Sequence, residues 1–82
     1  MTRATIPGTI QEAVQACYDA YGDQKEIALD LGIAGSSVSY GTEVQEIRPG
    51  GLGVNYLDRL ARKKAASAVP IAQHFAALAG GV

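Results

Sequence analysis

The sequence predicts a small all-α domain of about five helices, and three observations lead to that prediction. Apolar residues recur at helical spacing along most of the chain, beginning with Ile10, Val14 and Cys17. Residues that commonly begin and end helices flank the apolar segments, as Thr9 and Gly22 flank the first of them. The length of 82 residues suits one domain with one small core. Because there is one phenylalanine and no tryptophan, we expect that core to be aliphatic and rich in alanine.

The first two helices have the clearest N-terminal signals. Thr9 is followed three residues later by Glu12, which is the spacing of a capping box. Asp23 and Glu26 repeat that spacing at the start of a second helix, predicted to run to about Leu31. The residues before Thr9 are expected to form a short arm that ends in a turn.

The stretch 24–40 predicts two short helices joined by a glycine turn. Gly32 can adopt a positive φ angle, which lets the chain turn sharply between the helices. Ala28 is small, as the residue under a close helix crossing must be. Ile33 and Val38 are spaced to hold the second helix on the first. The outward polar residues of this second helix, predicted over residues 35–40, are Ser36, Ser37, Ser39 and Tyr40.

This stretch resembles the helix-turn-helix of phage-type regulators, in the lambda-repressor-like and lambda-activator-like group. The resemblance covers about a fifth of the chain and is carried by Gln24, Ala28, Gly32, Ile33, Ser37, Val38 and Ser39. It implies a lambda-repressor-like fold for residues 1–82 and a non-enzymatic, sequence-specific regulator of transcription. Such a repressor or activator would bind double-stranded DNA as a homodimer or higher homo-oligomer, with RNA polymerase as a further partner. Its expected location is the cytoplasm of a bacterial or phage-infected cell.

Two more helices are predicted towards the C-terminus. The fourth is expected over residues 55–68 with Asn55 as its N-cap, and the fifth over residues 71–79 after Pro70. The segment 42–53, between the motif and the fourth helix, is consistent with either a helical turn or a short extended piece.

An apolar face on the fifth helix leaves two interpretations open. Ile71, Phe75 and Leu78 lie at helical spacing and either form a dimerisation surface or pack inward against the first helix. We expect dimerisation, because the core is small and the second motif helix carries few side chains that read bases.

The candidate DNA-contacting residues come from both halves of the chain, which differ in charge. Residues 1–46 hold two basic and seven acidic side chains, whereas residues 47–82 hold five and one. Arg59, Arg62 and Lys63, flanked by Lys64, are expected on one outer face of the fourth helix, as a phosphate contact or merely a solvated surface. The full set of expected DNA contacts is Gln24, Lys25, Ser36, Ser37, Ser39, Tyr40, Arg48, Arg59, Arg62 and Lys63, with Arg3 as an arm into a groove.

The acidic first half favours a rival function, a protein-interaction or assembly module that uses the same fold without touching DNA. An enzyme is not expected, because His74 is the only histidine and has no partner at ligand spacing. With Cys17 as the only cysteine, neither a disulfide framework nor a metal cluster is expected, and no cofactor is implied. Neither a signal peptide nor an apolar run of the ~20 residues that span a membrane is evident.

Overall fold

A computed structural model describes residues 8–42 and 50–80 of the chain. Within these residues the regular structure consists of five α-helices and one short 3-10 helix, which confirms the all-α class. The helices are α1 (Ile10–Tyr21), α2 (Gln24–Leu31), α3 (Gly35–Tyr40), α4 (Val54–Lys63) and α5 (Ala68–Leu78), with the 3-10 helix at Ala65–Ser67. The predicted N-terminal arm with Arg3, and residues 43–49 with Arg48, lie outside the described residues.

The predicted N-caps of α1 and α2 are confirmed. The Thr9 hydroxyl accepts a hydrogen bond from the Glu12 N–H at 3.3 Å, and the Asp23 carboxylate accepts one from the Glu26 N–H at 2.8 Å. Each cap satisfies one of the N–H groups that a helix start leaves without an intrahelical partner. These local contacts explain why the start of each helix could be found from sequence.

The core forms around α1, which packs against α5, the 3-10 helix and α2. Its buried cluster comprises Val14, Cys17, Tyr18, Tyr21, Ile27, Leu31, Val38 and Leu60. Two glutamines of α1 are also buried, which the apolar pattern did not predict. The Gln11 side chain donates to the Gly50 carbonyl at 2.9 Å, so a polar contact attaches the segment before α4 to α1.

The predicted bounds of the last two helices are wrong. The expected helix over residues 55–68 begins at Val54, after Gly53, so Asn55 is not its cap, and it ends at Lys63. Lys64 leaves the helical region with φ −136° and ψ 98°. Ala65, which falls inside the predicted range, is exposed and begins the 3-10 helix instead.

The last helix begins two residues before Pro70 and ends one residue earlier than predicted. Proline excludes one uninterrupted helix through this region, because it lacks an N–H group and its ring clashes with the carbonyl four residues earlier. Pro70 lies in the first turn of α5, where an N–H group would have no partner within the helix and no carbonyl of the helix lies four residues earlier. The Ser67 hydroxyl, which donates to the Lys64 carbonyl at 2.8 Å, closes the turn between α4 and α5. Among the described residues, no helix has both the length and the apolarity needed to cross a membrane.

Candidate nucleic-acid interface

The turn between α2 and α3 has the geometry that its glycine was expected to supply. Gly32 has φ 70° and ψ 32°, a left-handed conformation, and its N–H donates to the Ala28 carbonyl at 2.9 Å. The Ile33 N–H donates to the same carbonyl at 3.1 Å. Two donors on one acceptor close the end of α2 and set the direction in which α3 leaves.

A tyrosine of α1 holds α3 in place through a buried hydrogen bond. The Tyr18 hydroxyl donates to the Val38 carbonyl at 2.8 Å, and the side chains of both residues are fully buried. Burial raises the pKa of Tyr18, so the phenol keeps its proton and remains a donor. Gly41, directly after α3, leaves room for that hydroxyl, because a Cβ atom at this position would overlap with it. The orientation of α3 therefore depends on a contact across 20 residues of sequence.

A groove of about 520 Å³ lies between α3 and the start of α4. It is lined by Ile33, Ser36, Ser37, Ser39, Tyr40, Gly51, Leu52, Gly53 and Tyr56. All four polar residues predicted to face outward from α3 are thus brought to one surface. No charged side chain lines this groove among the described residues, so it presents hydroxyl groups, aromatic rings and backbone.

Two helix starts without side-chain caps border this groove. The residues that precede α3 and α4 are Ala34 and Gly53, and neither makes a side-chain capping bond, in contrast to Thr9 and Asp23. Uncapped N–H groups at a helix start carry partial positive charge and can bind anions. The groove is therefore lined by neutral side chains and is bordered by two helix starts that no side chain caps.

Tyr56 is a groove residue that the sequence interpretation missed. It is half-buried on α4, packs against the core and turns towards α3. Arg59 and Lys63 lie three and seven residues later, on the same side of the helix. The spacing of Tyr56, Arg59 and Lys63 was visible in the sequence. The direction in which this side of α4 faces depends on how the helix packs.

The basic residues that were predicted on one outer face of α4 have different partners. Arg59 lies towards the turn that precedes α3, where its guanidinium donates to the Leu31 carbonyl at 3.4 Å. Lys63 lies on this side too, with its ammonium 3.8 Å from an Asp30 carboxylate oxygen. Arg62, three residues after Arg59, pairs with Asp58 at 2.8 Å.

Lys64 is half-buried and contacts α1 and α2. Its ammonium donates to the Tyr21 carbonyl at 2.7 Å and to the Glu26 carboxylate at 2.8 Å. It also lies 4.4 Å from the centre of the Tyr21 ring, at the distance of a cation–π contact. This lysine connects the ends of α1 and α4 to the start of α2, which is a structural role.

Gln24 and Lys25, predicted to hold a phosphate at the start of α2, do not line the groove. Gln24 is half-buried and Lys25 is exposed. The carboxylates of Asp23 and Glu26 stand at the same helix start. Those carboxylates disfavour a phosphate there.

The three residues predicted for dimerisation have different environments. Ile71 is partly buried and packs against the core, as the inward-packing alternative required. Phe75 and Leu78 are 54% and 69% exposed. The His74 ring meets Phe75 edge-on at 5.2 Å between ring centres. Neither alternative therefore describes the whole face.

Sites for chemistry are not evident in the described part of the chain. Within residues 8–42 and 50–80, no group of three or more histidine, cysteine or acidic side chains is placed to hold a metal ion. Cys17 is buried among core residues, and burial raises the pKa of its thiol. A scan against protein-family models and searches of curated proteins and of solved structures found no match to this chain, so its function is inferred from its own geometry.

Proposed function

We propose that this protein is a DNA-binding regulator of transcription that uses α2 and α3 as a helix-turn-helix and inserts α3 into the major groove. The observation that carries the proposal is the surface groove beside α3. Four polar side chains of α3, Ser36, Ser37, Ser39 and Tyr40, line it together with two uncapped helix starts. Hydroxyl groups and helix-start N–H groups are common donors to phosphate, and serine accepts or donates at base edges.

The charges near this groove support an approach to DNA. Its described lining holds no carboxylate side chain that would repel a phosphate. Arg59 is exposed next to the turn before α3 and has no carboxylate partner among the described residues, so its charge remains available. Lys63 adds a second cation on that side, loosely paired with Asp30 at 3.8 Å.

The composition of α3 indicates how such a regulator would achieve specificity. Its outward residues are serines and a tyrosine, whereas bidentate reading of bases uses Arg, Lys, Asn or Gln. One copy would therefore discriminate weakly. A homodimer or higher oligomer bound to half-sites one helical turn (~34 Å) apart would add the discrimination of its two α3 helices. Such a regulator would repress or activate transcription in the bacterial cytoplasm. Activation would involve RNA polymerase as a partner.

A second function has its own support. Arg62, Lys63 and Lys64 each face a carboxylate, which lowers the positive potential that nucleic-acid binding requires. A protein-interaction or assembly module that keeps the fold but does not contact DNA would need no such potential.

A comparison of two arginines of α4 tests the proposal. Fluorescence anisotropy with a random-sequence duplex, from about 50 to 200 mM salt, gives affinity and salt dependence for the wild type, Arg59→Ala and Arg62→Ala. Arg59→Ala should weaken binding to all sequences and flatten the slope of log K against log salt by about one unit. Arg62→Ala is the matched control, because it removes the same side chain from the same helix at a position where the guanidinium is paired with a carboxylate, that of Asp58.

Two results would refute the proposal. Absence of binding by the wild type at about 50 mM salt favours the interaction module. Equal losses in Arg59→Ala and Arg62→Ala show that α3 and its neighbours do not define the contact surface.

A further inference from the structure

Tyr56, on α4, lines the groove beside α3 with a ring whose position is constrained by its neighbours. The residue is half-buried and packs against the core. Gly53, which lines the same groove, has no Cβ atom, and a Cβ added there would lie 3.3 Å from Cδ2 of the Tyr56 ring. The ring therefore lies close to the backbone where α4 begins, in contact with the core, and is preorganised for a ligand in the groove.

The groove offers apolar and hydrogen-bonding contacts within one surface. Ile33, Leu52 and the Tyr56 ring contribute apolar atoms, and Ser36 and Ser37 contribute hydroxyl groups. Both serines are exposed. Neither their hydroxyl groups nor that of Tyr56 makes a hydrogen bond to any residue that the structure describes. The groove thus suits a ligand that presents a hydrogen-bonding atom next to an apolar group.

Among the base edges of the major groove, that of thymine has this combination. Thymine presents its O4 acceptor beside the C5-methyl group, whereas the other three bases present only donors and acceptors. A serine hydroxyl can donate to O4, and apolar side chains contact the methyl group. Guanine is most often read by Arg or Lys, and neither lines the described groove. The lining therefore favours thymine over guanine.

We infer that Tyr56 is a specificity-determining residue whose ring contacts the C5-methyl group of a thymine, with Ile33 and Leu52 beside it. This inference rests on the proposed function, because it requires α3 to enter the major groove. It deepens that function by naming sites that contain A·T pairs as the preferred DNA. It also gives α4 two contacts, since Arg59 lies one turn after Tyr56 on the same side of the helix, where it can meet a phosphate.

Two duplexes that differ only in this methyl group test the inference. Alternating d(A-T) and alternating d(A-U) duplexes of equal length present the same donors and acceptors, because uracil is thymine without its C5-methyl group. Fluorescence anisotropy at about 50 mM salt gives the affinity of the wild type and three variants for each duplex. Tyr56→Phe keeps the ring and Tyr56→Ala removes it. Arg59→Ala is the control, because Arg59 does not line the groove. Circular dichroism verifies that each variant is folded.

The ratio of the two affinities is the quantity that decides. The wild type and Tyr56→Phe should bind the thymine duplex about fourfold more tightly for each methyl group contacted, which corresponds to ~0.8 kcal/mol for a buried CH₂ group. Tyr56→Ala should bind both duplexes with affinities within about twofold of each other. Arg59→Ala should bind both more weakly and keep the wild-type ratio, because it loses a phosphate contact.

A second measurement uses the wild type alone and therefore does not depend on whether Tyr56→Ala folds. 5-Iodouracil carries iodine where thymine has its methyl group, and irradiation joins it to an aromatic side chain in contact with it. Mass spectrometry of the digested complex should locate the cross-link on Tyr56. Tyr40 also lines the groove, and a cross-link on Tyr40 alone overturns the inference.

Two other results overturn the inference while the proposed function stands. One is equal affinity of the wild type for the two duplexes. The other is a preference for the thymine duplex that Tyr56→Ala retains in full. Absence of wild-type binding to either duplex at about 50 mM salt refutes the proposed function, and this inference with it.

Discussion

The substitution Gly41→Ala tests whether α3 is held as the structure shows. Gly41 is buried directly after α3, and an added Cβ would overlap with the Tyr18 hydroxyl and lie 3.1 Å from the Val38 carbonyl oxygen. The backbone is not the obstacle, because Gly41 has φ −56° and ψ −26°, which alanine adopts readily. Only the loss of space and of the Tyr18–Val38 hydrogen bond can destabilise this variant.

The expected destabilisation is about 2–4 kcal/mol. Breaking a buried hydrogen bond costs about 1–3 kcal/mol, and overpacking a close contact costs a similar amount. Part of this cost is offset, because alanine loses less backbone entropy on folding than glycine, by about 0.5–1 kcal/mol. For a domain of this size the melting temperature should fall by roughly 8–32 °C.

A double-mutant cycle identifies the cause. Tyr18→Phe removes the hydroxyl, and the nearest ring carbon then lies 3.2 Å from the added Cβ, a distance that a small shift can relieve. Gly41→Ala should therefore cost less than about 1 kcal/mol in the Tyr18→Phe background, which gives a coupling energy of at least about 1 kcal/mol by urea denaturation. Gly35→Ala, in the first turn of α3 with open space around it, should be neutral or stabilising. Effects of Gly41→Ala and Tyr18→Phe that add within about 0.5 kcal/mol would refute this account of how α3 is anchored.

Two further predictions concern the helix crossing and the effect of alkaline pH. Ala28→Leu should destabilise the protein by about 1–3 kcal/mol through overpacking, since Ala28 packs against the core near the start of α3, and an unchanged melting temperature would contradict this. Burial and the hydrogen bond that the Tyr21 hydroxyl donates to Asp30 raise the pKa of Tyr21 to about 12. The neutral phenol is therefore favoured in the folded state, so its stabilisation is complete below about pH 10 and is lost between about pH 10 and 12, by at most about 1.4 kcal/mol per pH unit. Urea denaturation from pH 8 to 11 should show a smaller loss for Tyr21→Phe than for the wild type, and equal losses would refute the assignment.

The sequence by itself determined the features that depend on neighbouring residues. The caps at Thr9 and Asp23 bond three residues ahead, and the left-handed turn at Gly32 depends on a missing Cβ atom. The bounds of α3 and the stripe of buried residues on α1 follow from spacing in the same way. Each is a property of a few consecutive residues, which the sequence displays directly.

The bounds of α4 and α5 were predicted less well, because local helix signals in this part of the chain compete with contacts to residues distant in sequence. Asn55 is a good capping residue, yet α4 starts one residue earlier. Lys64 lies within the predicted fourth helix, but it is the residue after the helix end, and its ammonium contacts Tyr21 and Glu26. These contacts bridge 43 and 38 residues, so no local pattern reveals them.

Only the tertiary structure decided which surfaces the candidate residues share. It brought Tyr56 to the groove beside α3, and it gave Arg59 and Arg62 different partners, the Leu31 carbonyl and the Asp58 carboxylate. It also placed Phe75 on an exposed apolar surface while Ile71 packed inward. Periodicity determines which residues share one side of a helix, whereas the direction of that side depends on how helices distant in sequence pack together.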